Sequence, residues 1–595
     1  RKGKNERTAL QPAALQRCRL AATCHVPRCT GSAPRKGVKG RGRWPDGGTS
    51  TRMSRTDGID APGSEAGDDA ITLRCDYLIV GAGATGMAFA DVVLAEGDGS
   101  ASIVMVDKRP DPGGHWNNAS GFVRLHQPAC YYGVPSERLE REGDASAFKY
   151  EDLSGGGEIR SYYRFLMDKY ERGGRVRFYA GCTYDRSADD GTFRSDADGT
   201  LYRVEARRRI VDSTYTNVEI PSERPPPFEV DPSVECVPIN GLEGMDLSSG
   251  KRKRFIVAGA GKTGIDAILY LLNNGVSESD IVWIVSRDAW MFNRDWFNPR
   301  TAMLTFPDAL TCHKRSFEAY MTEMERIGFY LRIDGGISPS KFSCATVEAH
   351  ELDQLRSLSN VVRRGRIQAI TNSHLIMTKG NPLPFDVDDN VVVNCTANGI
   401  PRRPPVPVWQ GKKIVLQPVS FCQAAFSAAI IGYVECCPRD KFRTDTDRNN
   451  IMRPVPYPVD TRDMIRSSLL SMWNRFEGYG LDSRTKSWCN KCRLLLSSHS
   501  SPATTMQLFF GFVLYRQLVA YQKGIEMKMA QHKDEFGVEF ELFNSRGPQK
   551  SAKLAEAART VLFVSVALWF VVLALVCIVA YIVFPGRSAL SSSIS

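Results

Sequence analysis

Cys75-Asp76-Tyr77-Leu78-Ile79-Val80-Gly81-Ala82-Gly83-Ala84-Thr85-Gly86 is the stretch from which the fold can be read. The apolar run 75–80 has the length and composition of a buried strand, and residues 87–94 read as a helix packed on it. Between them the glycines stand at the spacing of a turn that meets a phosphate. Gly81 permits the tight bend, Gly83 lets the backbone approach a pyrophosphate, and Gly86 lets helix and strand pack closely. The anion would sit at the helix N-terminus, where free N–H groups and the helix dipole favour negative charge. Residues 102–106 form the next strand, which closes on Asp107, about 20 residues or slightly more beyond the turn. A carboxylate at that place can accept from ribose hydroxyls.

The same pattern returns downstream. Residues 255–258 form a short strand, Gly259-Ala260-Gly261-Lys262-Thr263-Gly264 follows, and residues 265–272 form a helix. Gly261-Lys262-Thr263 invites a phosphoryl-transfer loop reading. That motif needs a further glycine where Ile256 stands inside the strand, so the dinucleotide turn is retained. The following strand, 281–285, ends on Ser286 and Arg287, with no acid at the ribose position. An arginine there suits a 2′-phosphate, so Gly259, Gly261, Lys262, Thr263, Gly264, Ser286 and Arg287 are read as an NADP site, with NADPH preferred over NADH. Asp288 would favour NADH if it pointed into the pocket.

The first unit continues as Lys108-Arg109-Pro110-Asp111-Pro112-Gly113-Gly114-His115-Trp116, then Phe122-Val123-Arg124-Leu125-His126-Gln127-Pro128 and Tyr131-Tyr132-Gly133-Val134. With the acid closing the second strand, this resembles the flavin-binding half of flavin-containing monooxygenases and related Baeyer–Villiger enzymes. Residues 391–401, with Thr396 and Ala397, resemble the strand and turn that bring such chains back beside the flavin. The resemblance spans about residues 73–454. It implies FAD bound by Gly81, Gly83, Thr85, Gly86, Asp107, Lys108, Gly114, Trp116, Leu125, His126, Thr396 and Ala397, with Trp116 covering a ring face. His126 and Gln127 become the candidate catalytic residues, although a hydrogen-bonded structural role fits His126 equally well. One feature departs from the family. Its Phe-x-Gly-x-x-x-His-x-x-x-Phe/Tyr fingerprint is missing, because residues 236–244 contain no histidine.

The expected class is therefore α/β, with two Rossmann-like dinucleotide-binding domains (an NAD(P) domain inserted into an FAD domain) and a C-terminal transmembrane helix. At 595 residues the chain is too long for one core. The expected divisions are a disordered leader at 1–70, the first part of the FAD domain at 71–240, and the NAD(P) domain with a helical insert at 250–390. A return to the FAD domain with helical segments follows at 391–535, then a linker at 536–560, a membrane anchor at 561–584 and a tail at 585–595. Residues 288–350 read as mainly helical and 361–393 as strand-rich. The aromatic-rich stretch with Trp290, Asn293, Arg294, Trp296 and Phe297 could line a substrate pocket, but helix-packing core is the preferred reading.

The net charge of +11 does not indicate nucleic-acid binding, because much of it lies in residues 1–55, where only Glu6 and Asp46 are acidic. This leader is Arg-rich like a transit peptide. The preferred alternative is an upstream extension, with the true start at Met53. The 24-residue uncharged run 561–584 is long enough to span a bilayer, and Arg546, Lys550, Lys553 and Arg559 precede it. The positive-inside rule then leaves the catalytic part cytosolic on a tail anchor, in the endoplasmic reticulum by preference or the mitochondrial outer membrane. Sixteen scattered cysteines are no disulfide scaffold. Neither Cys489/Cys492 nor Cys24/His25/Cys29 completes a zinc set, so no metal is expected.

The expected activity is a membrane-anchored, FAD-dependent NAD(P)H oxidoreductase of monooxygenase type, acting on a small molecule and oxygen. A type II NADH dehydrogenase reducing quinone, or a non-catalytic dinucleotide-binding protein, are the alternatives. A disulfide reductase needs a redox cysteine pair beside the flavin, and Cys130 stands alone there.

Overall fold

A computed structural model describes residues 70–495, apart from 141–149, 151, 248–253, 299–316, 398, 401–402, 438–441 and 477. The leader and the apolar run 561–584 lie outside the described residues. No helix among the described residues is long and apolar enough to cross a membrane.

The chain begins with β1 (Ile71–Val80), α1 (Ala84–Glu96) and β2 (Ile103–Asp107). Next come α2 (Gly156–Arg172), β3 (Val176–Ala180), β4 (Cys182–Tyr184), β5 (Thr192–Ser195) and β6 (Leu201–Asp212). Strands β6, β1, β2 and β3 lie side by side and parallel. Strand β1 is thus central, with the chain crossing to β2 and β3 on one side and to β6 on the other. In such sheets ligands bind outside the carboxyl ends, where the strand order reverses. The sheet is buried on both faces. Tyr77, Ile79, Ile103 and Met105 enter the core under the helices, while Leu78, Val80, Val104 and Val106 pack with Cys182, Phe193 and Val204 on the opposite face. This period of two, apolar on both sides, is what a parallel sheet covered on both faces requires, here by helices on one side and by β4 and β5 on the other.

The second unit contains β7 (Glu229–Val230), β8 (Cys236–Pro238), β9 (Arg254–Ala258), α3 (Lys262–Asn273), β10 (Ile281–Ile284) and β11 (Ala289–Asn293). It continues with α4 (Phe317–Arg326), β12 (Tyr330–Leu331), β13 (Lys341–Val347), α5 (Ala349–Ser357) and β14 (Val361–Val362). Then follow β15 (Ile367–Ile370), β16 (His374–Met377), β17 (Leu383–Pro384) and β18 (Asn390–Asn394). A five-stranded parallel sheet runs β14-β10-β9-β18-β8, again with the glycine turn after its central strand. Phe255, Val257, Trp283 and Val393 face one core, and Ile256, Ala258, Ile284 and Val392 the other.

Two expectations need correction. Strand β18, assigned above to the returning first domain, pairs with β9 over Asn390–Asn394 and belongs to the second sheet. Its run of valines satisfies the two-sided burial of an inner strand there, and only the turn after it leads back. Among its described residues, the stretch 288–350 is not mainly helical. Strands β11, β12 and β13 form a small sheet within it, whose aromatic residues Trp290, Phe292, Tyr330 and Phe342 pack together with Met321 and Met324 of α4. Alternating large apolar side chains in short strands lack a 3.6-residue stripe, and their aromatic content suits a pleated surface.

The chain finishes with β19 (Trp409–Gln410), β20 (Lys413–Val415), α6 (Ala424–Cys436), α7 (Asp445–Ile451), α8 (Thr461–Phe476) and α9 (Ser483–Lys491). Strand β20 adds to the first sheet beside β6. Helix α6 crosses α1 closely at Gly432, where a Cβ would stand 3.3 Å from both the ring and the carbonyl of Phe89.

Candidate functional site: two glycine turns on one cavity

Both glycine turns are built by the same contacts. At the first, Gly81 has φ +101°, a value that strongly favours glycine, and a Cβ on Gly86 would collide with the Gly81 carbonyl. Ser213, just past the end of β6, underpins this turn by donating its hydroxyl toward the carbonyls of Val80 and Gly81, both at 2.7 Å. At the second turn Gly259 and Gly264 repeat the geometry, and the indole N–H of Trp283 donates to the Gly259 carbonyl at 2.9 Å. Ser213 and Trp283 escape a motif search because they support the turns from neighbouring strands.

Helices α1 and α3 open at Gly83 and Gly261, with no side-chain cap and no acidic residue in the first turn. Their first N–H groups are therefore available to an anion. A Cβ added at Gly261 would meet nothing within 4 Å. The backbone at this turn is open to a close-lying ligand.

Both turns line one cavity of about 1370 Å³. A pocket for one drug-sized ligand spans ~300–1,000 Å³, so this cavity has room for more than one such ligand. Gly81, Gly83, Thr85, Asp107, Lys108, Gly114, Trp116, Leu125, His126, Gln127, Thr396 and Ala397 are on its wall, as are Gly259, Gly261, Lys262, Thr263, Ser286 and Arg287. Of the residues assigned from sequence, Gly86 and Gly264 stand behind the turns instead, where close helix–strand packing needs them.

In the first half, Asp107 accepts from the backbone N–H of Ala82 at 2.7 Å and of Arg109 at 2.9 Å, one on each carboxylate oxygen. Each oxygen keeps capacity for a second donor such as a ribose hydroxyl. Thr85 donates to the Ser213 carbonyl at 3.1 Å, so its hydroxyl braces the turn. Trp116 is pinned by donation from its indole to the Tyr132 hydroxyl at 2.7 Å. Arg109 also lines the cavity. One of its terminal nitrogens pairs with Glu223 at 2.7 Å, while its buried Nε has no hydrogen-bond partner. An orphaned buried donor beside Asp107 fits a polar ligand, and Arg109 joins the candidates that sequence reasoning missed.

Between the halves stands His126. Its Nδ1 is 3.2 Å from the Thr346 hydroxyl, which also donates to the His126 carbonyl, and Arg294 Nε donates to that carbonyl at 2.9 Å. Burial, reinforced by the charges of Lys262 and Arg294, depresses the imidazole pKa from 6.5 to about 3. His126 is thus a neutral, fixed imidazole. Arg294 is itself buried and held by Glu348 and Glu351.

In the second half, Lys262 pairs with Asp266 one turn along α3. Arg287 shares the wall with Lys341 and Arg366. The Lys341 ammonium pKa is lowered, first by burial and then by the charges of Arg287 and Arg366. Three cations close together on the wall suit an anion. Asp288 is buried and paired with Arg363, and it is absent from the cavity wall. The aromatics Phe292, Trp296, Phe297, Phe329, Tyr330, Phe342 and Phe421 form the apolar end of the cavity. Trp296 and Phe297 thus line the cavity, and Phe297 also packs in the aromatic cluster. Residues 236–244 form β8 and a short 3-10 turn, from which Ile239 and Asn240 reach the wall. Among the described residues no group of acidic, histidine or cysteine side chains is arranged to hold a metal.

This fold and site define a protein with two Rossmann-type dinucleotide turns facing one chamber. Residues 79–134 match the family model described as NAD(P)-binding Rossmann-like domain. The chain is 37% identical over 442 residues to Uncharacterized protein Rv2000 of Mycobacterium tuberculosis strain H37Rv, and equally to Uncharacterized protein Mb2023 of Mycobacterium bovis. Each alignment covers 72% of this chain and 79% of the relative. The chain belongs to the family of these mycobacterial proteins. Among solved structures it is similar to the NADP+-bound cyclohexanone monooxygenase from Rhodococcus sp. Phi1 (13% identity, 61% of this chain and 83% of that one, TM-score 0.38). Another is the flavin-containing monooxygenase from Stenotrophomonas maltophilia (16% identity, 55% and 78%, TM-score 0.33).

Proposed function

We propose that this protein is an FAD-dependent NADPH oxidoreductase of monooxygenase type. The observation that carries the reading is the convergence of two uncapped, glycine-led helix N-termini on one continuous cavity, one beside a ribose-binding carboxylate and the other beside a cationic pocket. FAD belongs to the Asp107 side, where Asp107, Arg109 and the first turn would hold its ribose and pyrophosphate. NADP belongs to the Arg287 side, where Arg287, Lys341 and Arg366 would surround a 2′-phosphate. When bound, the two cofactors supply hydride transfer and the activation of oxygen.

The chain's own residues position and shield. Trp116, fixed by Tyr132, walls the flavin side. Neutral His126 offers a hydrogen-bonding ring nitrogen at the junction without adding charge. The aromatic end excludes water and suits an apolar small-molecule substrate. The run 561–584 anchors the protein in a membrane and leaves the catalytic part cytosolic, by preference at the endoplasmic reticulum.

The test is purification with visible spectra, followed by aerobic NADPH oxidation with parallel oxygen uptake. A yellow protein that consumes oxygen with NADPH supports the reading. Rapid quinone reduction without oxygen uptake would replace it with a quinone reductase, and a protein that takes up no flavin would overturn it. Deleting 561–584 should move the protein from the membrane fraction to the supernatant.

A further inference from the structure

Cys344 on β13 and Cys422, immediately before α6, are joined by a disulfide although 78 residues separate them, with Cα atoms 6.2 Å apart. Both line the cavity, and both are only half-buried. Among the described residues Cys75, Cys130, Cys182, Cys236, Cys395, Cys436, Cys437, Cys489 and Cys492 remain thiols. In a reducing compartment such as the cytosol proposed above, a disulfide is usually catalytic or redox-sensing rather than structural. Three local features suit reactivity at this one. Cys422 has φ +53°, a left-handed conformation unusual for a residue with a side chain. It directly precedes Gln423, the N-cap of the 13-residue helix α6, which has no side-chain cap. A thiolate formed there is stabilised by the helix dipole and the free N–H groups. Finally, Thr346, the contact of His126, follows Cys344 by two residues on the same strand, so the pair stands at the junction of the cavity and its aromatic end.

We propose that Cys344–Cys422 is a redox-active disulfide that exchanges with a low-molecular-weight thiol entering the cavity. The incoming thiolate bonds to the Cys344 sulfur as the S–S bond breaks. Cys422 leaves with the electron pair as a thiolate and then takes a proton from water. A second external thiol displaces Cys344 from the mixed disulfide, leaving two protein thiols and one oxidised external disulfide. Exchange unties β13 from the segment before α6. The fold tolerates this, because Phe421 N–H stays bonded to the Ser471 hydroxyl at 2.9 Å and the Gln423 amide to the Leu494 carbonyl at 3.1 Å.

The test uses the full chain equilibrated with mixtures of reduced and oxidised glutathione, quenched in acid, denatured and alkylated with iodoacetamide. Peptide mass spectrometry then reads each cysteine. Cys344 and Cys422 should pass together from blocked to alkylated across the series, while Cys489 and Cys492 stay alkylated throughout. In Cys422→Ser, Cys344 should be alkylated or glutathionylated at every ratio. In Cys344→Ser the corresponding adduct should appear on Cys422. Alkylation of both cysteines even in oxidised glutathione would refute the bond. Protection of both in fully reduced glutathione would make it an inert structural cross-link and overturn the proposal. Neither readout depends on bound flavin, so the cofactor assignment stands or falls separately.

Discussion

Arg363 holds Asp288, with Nε 3.1 Å from one carboxylate oxygen and Nη2 3.2 Å from the other. This pairing decides a question about the neighbouring residue. An unpaired acid at the end of β10 would repel a 2′-phosphate, but Asp288 is turned away and neutralised while Arg287 lines the cavity with Lys341 and Arg366. Replacing Arg287 with Ala should therefore weaken NADP+ binding far more than NAD+ binding. A charge-assisted hydrogen bond is worth about 1.5–3 kcal/mol, and that range corresponds to roughly 10- to 100-fold in Kd. Titration of the protein with both nucleotides measures it, and an equal loss for the two would remove Arg287 from the phosphate site.

The two inner glycines of the second turn should respond differently to the same methyl group. At Gly264 a Cβ collides with the Gly259 carbonyl, so Gly264→Ala must move α3 or the turn. Overpacking of this kind costs about 1–3 kcal/mol. At Gly261 the Cβ meets open space. Gly261→Ala should keep the wild-type Tm and lose affinity for nucleotide, because its methyl occupies the ligand's approach. Thermal melts with and without NADP+ separate the two. A Gly261→Ala protein binding NADP+ as tightly as wild type would exclude the nucleotide from that turn.

Acid should destabilise the protein partly through His126. Its folded pKa, about 3, lies below the ordinary 6.5. Between those values the unfolded chain binds the extra proton, so stability rises with pH across that window and is flat above it. His115, lowered to about 4 chiefly by burial, acts in the same direction. The variant His126→Asn should show a shallower loss of Tm than wild type as pH falls from about 6.5 towards 4. Catalysis should show no inflection from His126 near neutrality. Parallel melting curves for the two proteins would contradict the neutral imidazole.

The parts legible from sequence were those governed by short-range geometry. Each glycine turn carries its own explanation in six residues, and Asp107 and Arg287 follow at the ends of adjacent strands. The supporting residues were not legible in this way. Ser213 reaches the first turn from more than 100 positions away, and Arg363 meets Asp288 across 75. Cys344 and Cys422 share no motif, and only the tertiary fold brings them together. The strands 289–293 and 341–347 look helical in sequence because their aromatic residues serve a small sheet whose packing partners lie on α4, and apolar content alone does not reveal period. The sheet that β18 joins is not legible either, because a run of valines specifies an inner parallel strand without specifying the sheet.

Arg493 supports the Asp107 side of the cavity from a distance in the same way. The side chain is 8% exposed, and its guanidinium donates to the backbone carbonyls of Val134 (3.0 Å), Cys130 (2.8 Å), Tyr132 (2.8 Å) and Glu137 (2.6 Å). These carbonyls belong to the segment that presents Tyr131 and Tyr132 to the cavity. Only a planar fork with five donors satisfies so many acceptors at once. Truncation to Met would keep much of the volume and orphan the carbonyls of Val134, Cys130 and Tyr132, each at about 1–3 kcal/mol, while the Glu137 carbonyl keeps the Tyr162 hydroxyl at 3.0 Å. Because water can enter and rescue some of them, the expected loss for Arg493→Met is about 3 kcal/mol. Arg493→Lys should fall between Met and wild type, since an ammonium reaches fewer acceptors. Urea unfolding checks this as a lower midpoint at unchanged slope. Flavin retention on gel filtration should fall in the same order, because the Tyr132 hydroxyl that fixes Trp116 is carried by the loosened segment. A Met variant as stable as wild type would show that these carbonyls do not depend on Arg493.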